Sequence, residues 1–338
     1  MNTVVKCFLM RIAIVKISAL GDIVNSMVVL QFIKKYYPNS KIDWIVEKNF
    51  KGILENNYHI NQIHTVNFKK VKRNKSPISL YLELSKIKKF GKYDLVIDLQ
   101  GLIKTAIISW LIDSKKVIGF DANSIRERLA SYVYDQKVSI GYDQNTILRN
   151  VKLVSDALNI KITTDEINQK NPFLFSKSKL IIPKSKFIVL VVSSTWKSRN
   201  YPKEKYVQIA NLLKKECLVV WGNETERMKA EWMSDESNQI KVMPKLNLDE
   251  LKYLISCASL LIGNDTGPSH ISWALNIPSI ILFGPTPVER MFQTKSNMAL
   301  KSSSIINHKK LNQNDFSIKE ISVNEIVKIA NQLLKVGP

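Results

Sequence analysis

The 338-residue sequence predicts an α/β protein of two domains, each built around a parallel sheet. Three observations predict this. The length suits about two domains of roughly 100–200 residues each. Hydrophobic residues make up 45% of the chain and charged residues 23%, an ordinary globular composition. Short apolar runs alternate with amphipathic stretches, which is typical of βαβ units.

The first half contains several Val- and Ile-rich runs separated by stretches with helical spacing. The helix that starts at Gly21 must end before Pro38, because proline lacks the N–H group that a helix interior needs. The predicted strands are 11–17, 41–46, 63–66, 93–99 and 115–120, and the clearest predicted helices are 21–36 and 79–90.

The alternation pauses in a polar, basic stretch that contains Pro172 and Pro183, and then resumes. The strands predicted after it are 187–193, 217–222, 259–264 and 278–284. The helices predicted there are 203–214, 224–234, 248–256, one from about 267, and 321–336, which starts with a Ser-Val-Asn-Glu capping pattern.

We therefore predict two doubly wound, Rossmann-like domains with an interdomain cleft. The predicted boundaries are 1–168 for the N-terminal domain, 169–186 for the linker, 187–320 for the C-terminal domain and 321–338 for a C-terminal helix. Ligands of open α/β sheets bind beyond the carboxyl ends of the strands. The strand-to-helix turns are therefore where we look for function.

The formal net charge is +21, and it comes from 42 Lys and only 8 Arg. Nucleic-acid readers usually rely on Arg, whereas a Lys excess suits phosphorylated or membrane-borne anions. A compositional bias of the genome is the alternative.

Three scattered cysteines without a CxxC motif indicate a reducing compartment and exclude a cysteine-based zinc site. No run of 18 apolar residues exists. Residues 1–9 are expected to be a short extension before a natural start at Met10.

The first turn, residues 16–22 (KISALGD), carries a carboxylate. Gly21 permits a tight turn. Asp22 can cap the following helix or face the cleft as a general base, and the two roles are compatible. The chain has neither GxGxxG nor GxxxxGK[ST], so this turn is not a dinucleotide or P-loop fingerprint.

The second turn, residues 193–202 (SSTWKSRNYP), follows a fully apolar strand. The hydroxyls of Ser194 and Thr195 and the cations Lys197 and Arg199 suit a phosphate group. A solvated basic loop is the alternative.

The third turn, residues 263–270 (GNDTGPSH), opens a helix. The backbone N–H groups of Thr266 and Gly267, at the positive end of that helix, form a predicted anion site. Asp265 is a candidate helix cap. His270, in the first turn of the helix, belongs either to the site or to the packing of the core.

The fourth turn, residues 221–224 (WGNE), places Glu224 just past another strand. A carboxylate at this position suits sugar or ribose hydroxyls. The alternative is an acid that stabilises the start of a helix through the helix dipole.

In this order, and with FGPT at 283–286, these segments resemble the bacterial heptosyltransferases, which are inverting GT-B glycosyltransferases that build the lipopolysaccharide inner core. The resemblance runs from about Met10 to the C-terminus. Residues 15–24, 93–105 and 125–131 look most like the members that add the first heptose to the Kdo region of lipid A.

The resemblance implies a role for each matching residue. Asp22 matches the base that deprotonates the acceptor hydroxyl. The implied donor-binding residues are Ser194 and Thr195 near the diphosphate, Arg199 in place of a phosphate-binding Lys, Lys197 as a further cation, Glu224 (or Glu226) on the ribose, Leu246 against the adenine, and Asp265, Thr266, Gly267 and His270 in the donor turn.

The implied reaction is displacement at the anomeric carbon of ADP-heptose by a hydroxyl of Kdo-lipid A. Cations, backbone amides and a helix dipole stabilise the leaving ADP. The chain has no DxD motif, so no metal and no cofactor besides the donor substrate is expected. The base and the phosphate groups fall in different predicted domains, so cleft closure is expected during catalysis.

The implied acceptor is anionic, because Kdo carries carboxylates and lipid A carries phosphates. Candidate acceptor-binding residues are Lys69, Lys70, Lys72 and Arg73, in a predicted loop, and Arg126. The alternative for the loop is a solvated basic face. The expected partners are ADP-heptose, Kdo-lipid A and the inner leaflet of the cytoplasmic membrane, with the protein cytoplasmic and peripheral on that inner face; nucleic acid is not expected.

Three other interpretations stay open. A sister heptosyltransferase that adds a second or later heptose shares nearly all of these motifs. A GT-B transferase that uses another nucleotide sugar is the second. A non-enzymatic polyanion-binding protein is the third.

Overall fold

The structure is a computed structural model that describes residues 9–308 and 310–336. The chain divides into two units, residues 1–173 and 174–338, and the division falls inside the segment predicted as the linker. The predicted interdomain cleft stays a prediction. The expectation of an N-terminal extension concerns residues of which only Leu9 lies within the described part.

The N-terminal unit contains a six-stranded sheet in the order β3-β2-β1-β5-β7-β8, with every neighbouring pair parallel. A separate pair, β4 and β6, is also parallel. The strands are β1 (Arg11–Val15), β2 (Lys41–Glu47), β3 (Gln62–Val66), β4 (Lys92–Tyr93), β5 (Leu95–Asp98), β6 (Asp113–Ser114), β7 (Val117–Phe120) and β8 (Gln136–Val138).

The helices of this unit are α1 (Leu20–Ser26), α2 (Val29–Tyr36), α3 (Lys51–Leu54), α4 (Phe68–Asn74), α5 (Pro77–Ile87), α6 (Ile103–Leu111), α7 (Thr146–Leu158) and α8 (Thr164–Asn168). The single helix predicted over 21–36 is wrong, since α1 and α2 are separate. Met27 donates to the carbonyls of both Ile23 and Val24, and Leu30 donates to Met27. The i→i+3 bonds from Met27 to Val24 and from Leu30 to Met27 tighten the backbone for one turn and interrupt the helix.

The basic segment predicted as a loop is also different, because it forms the helix α4. The Asn67 side chain accepts a hydrogen bond from the Lys70 N–H group and so caps the helix start. The helix ends at Lys75, whose φ of 49° lies in the left-handed region. Local capping therefore sets both ends of a helix that has no apolar periodicity of its own.

The C-terminal unit contains a second six-stranded parallel sheet, in the order β11-β10-β9-β12-β13-β14. Its strands are β9 (Phe187–Val191), β10 (Glu216–Val220), β11 (Ile240–Val242), β12 (Leu260–Asn264), β13 (Ser279–Phe283) and β14 (Asn297–Lys301). Its helices are α9 (Lys203–Leu213), α10 (Glu224–Asp235), α11 (Leu248–Ser256), α12 (Gly267–Ala274) and α13 (Val323–Val336).

The central strands of both sheets are buried along their length. β9, β12 and β13 have no exposed residue, and β5 is likewise buried. Parallel strands covered by helices on both faces need such uninterrupted apolar runs. The predicted α/β class with two doubly wound parallel sheets is confirmed. In the described parts of the chain we find no helix with the length and apolar character needed to span a bilayer.

In each sheet the strand order reverses next to the first strand of the unit. The reversal lies between β1 and β5 in the N-terminal unit and between β9 and β12 in the C-terminal unit. The loops that leave two neighbouring strands at such a point diverge to opposite faces of the sheet, which opens a crevice where ligands of α/β proteins bind. The sequence motifs lie at the carboxyl ends of these four strands or of their neighbours.

Candidate catalytic and donor sites

The loop after β1 is fixed to the loop after β5 by one amide side chain. Gln100 Oε1 accepts hydrogen bonds from the N–H groups of Ile17 (2.8 Å) and Ser18 (3.1 Å), and its Nε2 donates to Ser18 Oγ (3.0 Å). The buried Lys16 Nζ donates to the Leu99 carbonyl at 2.9 Å. The two loops at the N-terminal switch point therefore hold each other.

Asp22 stands at this switch point as the third residue of α1. Its Oδ2 accepts a hydrogen bond from the Ala19 N–H group at 3.2 Å. The helix cap position is Ala19, so the prediction that Asp22 is the cap residue is wrong, although its carboxylate does bind the first turn. A half-buried carboxylate that is fixed through one oxygen is suited to accept a proton on the other.

Lys16 adds a buried charge next to this carboxylate. Burial lowers the pKa of Lys16, and the negative charges of Asp22 and Asp98 act in the opposite direction. An electrostatic interaction thus links the Lys16 ammonium group to Asp22, which makes Lys16 part of the surroundings of the candidate base.

At the C-terminal switch point the buried Asp265 carboxylate binds side chains from three other positions. Its Oδ1 accepts from His270 Nε2 at 3.2 Å. Its Oδ2 accepts from Thr286 Oγ1 at 2.8 Å and from Arg199 Nη1 at 3.3 Å. Arg290 Nη1 lies 3.9 Å from the same oxygen. One carboxylate therefore connects the loop after β9, the start of α12 and the loop after β13.

The electrostatics of Asp265 follow from these partners. Burial by itself raises the pKa of this carboxyl. The hydrogen bond from His270 and the charges of Arg290 and Arg199 outweigh burial and hold the pKa of Asp265 below its ordinary value. Asp265 is therefore ionised, and it is not the cap of α12, since the cap residue is Thr266.

Arg199 is committed to this network. Its side chain is 12% exposed, its Nη2 donates to Thr195 Oγ1 at 3.1 Å, and its guanidinium carbon lies 4.8 Å from the Trp196 ring centroid. The structure therefore brings together four predicted donor-site residues, Thr195, Arg199, Asp265 and His270. Asp265 neutralises part of the Arg199 charge.

The backbone of the loop after β9 is organised by Asn200. Asn200 Oδ1 accepts from the Ser194 N–H group at 2.6 Å, and its Nδ2 donates to the Trp196 carbonyl at 2.9 Å. Ser194 Oγ is buried and has no hydrogen-bond partner in the described part of the chain. A buried hydroxyl without a hydrogen-bond partner is costly, so Ser194 Oγ is a candidate donor to a ligand.

The first turn of α12 lies beside this cluster. No side chain in the described residues caps the helix, and Gly267 is its first residue. Gly263, at the end of β12, is required by close packing, since a Cβ there would lie 2.7 Å from Val191 Cβ and 3.0 Å from the Val191 carbonyl oxygen. The ends of β9 and β12 can therefore pack closely.

The other predicted donor residues lie after the remaining strands. Glu224 is exposed and binds the Arg227 guanidinium, whose hydrogen bond holds the pKa of Glu224 below its ordinary value. Glu226 accepts from the Gly222 N–H group at 2.7 Å. Leu246 is half-buried between β11 and α11, and Lys197 is exposed in the loop after β9. The structure does not join these residues to the Asp265 cluster.

The predicted acceptor-binding residues lie in the N-terminal unit. All are exposed: Lys69, Lys70, Lys72 and Arg73 on α4, and Arg126 after β7. Lys69 Nζ lies 5.3 Å from the Phe50 ring centroid.

Sequence reasoning missed several residues that build these sites. Gln100 and Thr286 lie within segments that carried the resemblance, but their roles depend on neighbours far away in sequence. Arg290 lies in a 3₁₀ turn, Val288–Arg290. Asn264 is buried and accepts from the Tyr201 N–H group (3.1 Å) and the Tyr206 hydroxyl (3.0 Å). Position at or just after the end of a strand was the signal that could have found Gln100, Asn264 and Thr286, but not Arg290.

Within residues 9–308 and 310–336, no three His, Cys, Asp or Glu side chains are grouped closely enough to hold a metal ion.

Comparison with known proteins identifies the family. The sequence profile of glycosyltransferase family 9 (heptosyltransferase) matches residues 84–320. The lipopolysaccharide heptosyltransferase 1 of Campylobacter coli is 36% identical over 344 residues, which cover 96% of this chain and 99% of that protein. The chain belongs to glycosyltransferase family 9, the heptosyltransferases. The resemblance seen in the sequence is confirmed, and this family 9 protein is a glycosyltransferase.

Two further comparisons agree with this assignment. The lipopolysaccharide heptosyltransferase 1 of Pseudomonas aeruginosa is 27% identical over 285 residues, covering 82% of this chain and 79% of that protein. The structure of the Escherichia coli heptosyltransferase WaaC with ADP matches this family 9 chain with a TM-score of 0.81 at 22% identity, covering 96% of this chain and all of that one. The structural likeness shows that the two share the GT-B fold.

The Asp265 network gives a testable prediction about stability. Replacing Asp265 by Ala leaves Arg199 and Arg290 without their buried counter-charge, so we expect the free energy of unfolding to fall by about 3 kcal/mol. The exposed Glu224→Ala variant is the control, with an expected loss within about 0.5 kcal/mol. Urea denaturation at neutral pH measures both.

Acidic pH adds a second readout. Because the folded-state pKa of Asp265 is depressed, its contribution is complete above the unfolded-state pKa of about 4 and is lost as the pH falls through the lower folded-state value. The difference in the free energy of unfolding between wild type and Asp265→Ala should therefore become smaller below about pH 4. Equal stability of the Asp265 and Glu224 variants at neutral pH contradicts the prediction.

Proposed function

We propose that this enzyme transfers L-glycero-D-manno-heptose from ADP-heptose to a Kdo residue of Kdo-lipid A, with inversion at the anomeric carbon. One observation carries the proposal: a candidate base and a candidate anion site each lie at a switch point, Asp22 between β1 and β5, and the Arg199–Asp265 cluster between β9 and β12. The relative with 36% identity over nearly the whole length is a lipopolysaccharide heptosyltransferase 1, which supports the first-heptose assignment.

Asp22 is the proposed catalytic base. The acceptor hydroxyl oxygen attacks the anomeric carbon from the side opposite to ADP, and its proton passes to the Asp22 carboxylate. The bond between the anomeric carbon and the diphosphate oxygen breaks, and ADP leaves with the electron pair. Attack from the opposite side inverts the configuration. The hydrogen bond from Ala19 to Oδ2 holds the carboxylate in one orientation for this step.

The C-terminal switch point is the proposed donor site. Negative charge grows on the diphosphate as ADP leaves, and preorganised donors stabilise such charge most effectively. The unpartnered Ser194 hydroxyl, the exposed Lys197 ammonium group, and the N–H groups of Thr266 and Gly267 at the α12 start are suited to this task. The structure of the E. coli enzyme WaaC was determined with ADP, which supports a nucleotide diphosphate as the ligand.

The hydrogen bonds from Arg199 to Asp265 and Thr195 refine the role proposed for this residue. Because Arg199 is bound to Asp265 and Thr195, we propose that it positions the loop and contributes a partly neutralised charge. Glu224 is proposed for the ribose hydroxyls and Leu246 for the adenine. Thr286 and His270 hold Asp265 in place, and His270 stays a proposed donor-site residue. We propose that the leaving-group site works with these protein groups and without a bound metal.

The acceptor is proposed to be a membrane-borne anion. The exposed cations of α4 and Arg126 suit the carboxylates of Kdo and the phosphates of lipid A. We propose that the enzyme is cytoplasmic and works peripherally at the inner leaflet of the cytoplasmic membrane, with nucleic acid not among its partners.

Product analysis tests the proposed reaction. We expect mass spectrometry to show one heptose added when the purified protein receives ADP-heptose and Kdo-lipid A, and no turnover with UDP-sugars. Turnover of heptosylated Kdo-lipid A alone would instead identify an enzyme that adds a later heptose. Activity with UDP-sugars and none with ADP-heptose contradicts the donor assignment. Absence of any transfer, together with salt-sensitive nucleic-acid binding, indicates a polyanion-binding protein.

Substitution of Asp22 tests the base. The Asp22→Asn variant keeps the size of the side chain but accepts no proton, so we expect kcat to fall by at least about 10²-fold. The KM for ADP-heptose should change little, because the donor site lies in the other unit. Asp113→Asn, a change at an exposed carboxylate of the same unit, serves as the control. A kcat of Asp22→Asn within a few-fold of wild type rules out Asp22 as the base.

A further inference from the structure

The helix α5 exposes large apolar side chains to solvent. Ile78, Tyr81 and Leu82 are between 62% and 71% exposed. Their spacing of three and four residues places them on one face of the helix. Scattered apolar residues are normal on a protein surface, but a whole helical face of them is not.

The neighbouring helix α6 repeats the pattern. Ile103, Ile107 and Trp110 are exposed, Trp110 to 68%, and their spacing of four and three residues again defines one face. The opposite face of α6 is buried and includes Thr105, Ile108 and Ser109. The helix α6 packs against α5, so the two apolar faces belong to adjacent elements.

A third element extends the surface. The 3₁₀ turn Arg128–Val133 packs against α6 and exposes Leu129 and Tyr132, the latter to 77%. Positions three residues apart lie on the same side of a 3₁₀ turn. We call the exposed apolar side chains of α5, α6 and this turn the apolar surface.

Exposed cations lie on the elements that carry the apolar surface, on their flanks and on the neighbouring helix α4. The helix α4 packs against α5 and carries four of them. Residues 68–89 contain a single acid, Glu83, whose carboxylate already accepts from the Asn67 N–H group at 2.9 Å. The exposed cations of these elements and their flanks are Lys69, Lys70, Lys72, Arg73, Lys75, Lys86, Lys88, Lys89, Lys104, Arg126 and Arg128.

This composition distinguishes between possible occupants. Protein–protein interfaces are enriched in aromatic residues but depleted in Lys, so a second copy or a protein partner fits poorly. Surfaces that bind anionic bilayers combine Trp, Tyr and Leu, which enter the boundary between headgroups and acyl chains, with Lys and Arg that attract the headgroups. The apolar surface combines aromatic and aliphatic side chains with many nearby lysines. Its composition is therefore that of a surface that binds an anionic bilayer.

We propose that the apolar surface, with the cations of α4 and its flanks, is the site at which this protein binds an anionic phospholipid bilayer. Tyr81, Tyr132 and Trp110 enter the headgroup boundary, and the lysines contact lipid phosphates. The inference rests on the proposed function in one respect, which is that a membrane-borne acceptor gives the enzyme a reason to bind the bilayer.

Vesicle co-sedimentation with the full-length protein tests the inference. We expect binding to vesicles of phosphatidylethanolamine and phosphatidylglycerol, and much weaker binding to phosphatidylcholine alone or in high salt. The double variant Tyr81→Ser/Trp110→Ser should bind the anionic vesicles at least about tenfold more weakly. Tyr58→Ser is the matched control. Tyr58 is 70% exposed, but it lies before the start of β3, whereas α4 follows the other end of that strand. We expect it to bind within twofold of wild type.

Fluorescence provides a second measurement that needs no destabilising change. Vesicles with brominated acyl chains should quench wild-type tryptophan emission, and Trp110→Phe should lose most of this quenching. The inference is overturned if the wild type does not bind anionic vesicles. It is also overturned if the double variant binds them as tightly as the wild type. Loss of self-association in the double variant, measured by sedimentation velocity without a change in vesicle binding, would assign the surface to a second copy instead.

The vesicles contain neither ADP-heptose nor Kdo-lipid A, so the outcome is independent of transfer. Vesicle binding without heptose transfer contradicts the proposed function and leaves the bilayer site standing. Transfer to a detergent-dispersed acceptor without vesicle binding does the reverse.

Discussion

The buried Asp265 carboxylate is the interaction on which the strand-end loops of the C-terminal unit depend. An isolated charge in this position would cost several kcal/mol, so its burial requires partners with good geometry. Those partners come from the loops after β9 and β13 and from α12, namely Arg199, Thr286 and His270. Because one anion fixes all three, the loops form a preorganised edge beside the start of α12. In the proposed function, this edge offers a donor diphosphate groups that need little reorganisation.

In the N-terminal unit a neutral side chain, not a buried anion, orders the loop at the switch point. Gln100 holds the backbone of the loop after β1, and the buried Lys16 ammonium group adds a contact to the Leu99 carbonyl. The result is a fixed start for α1 and a defined place for Asp22. Both units thus use the switch point of a parallel sheet. Gln100 follows β5 and orders the loop after β1, and Asp265 follows β12 and binds the loop after β9.

The fold was largely predictable, because strands buried on both faces leave uninterrupted apolar runs in the sequence. The site motifs were predictable because strand ends are recognisable. Long-range pairings were not, since Arg199 and Asp265 are 66 residues apart and no local pattern links them. The helix α4 was missed because its basic residues have no apolar periodicity and its ends depend on Asn67 and Lys75. The break between α1 and α2 reflects a single tight turn that propensity does not reveal.

We propose above all that the C-terminal switch point binds the diphosphate of a nucleoside diphosphate. Hydrogen–deuterium exchange with and without ADP tests it directly, since bound phosphates slow the exchange of the amides that contact them. We expect slower exchange in residues 193–200 and 264–270 on addition of ADP, with residues 16–22 unchanged. Slower exchange confined to residues 16–22 and 98–101, with none in the C-terminal unit, would contradict it.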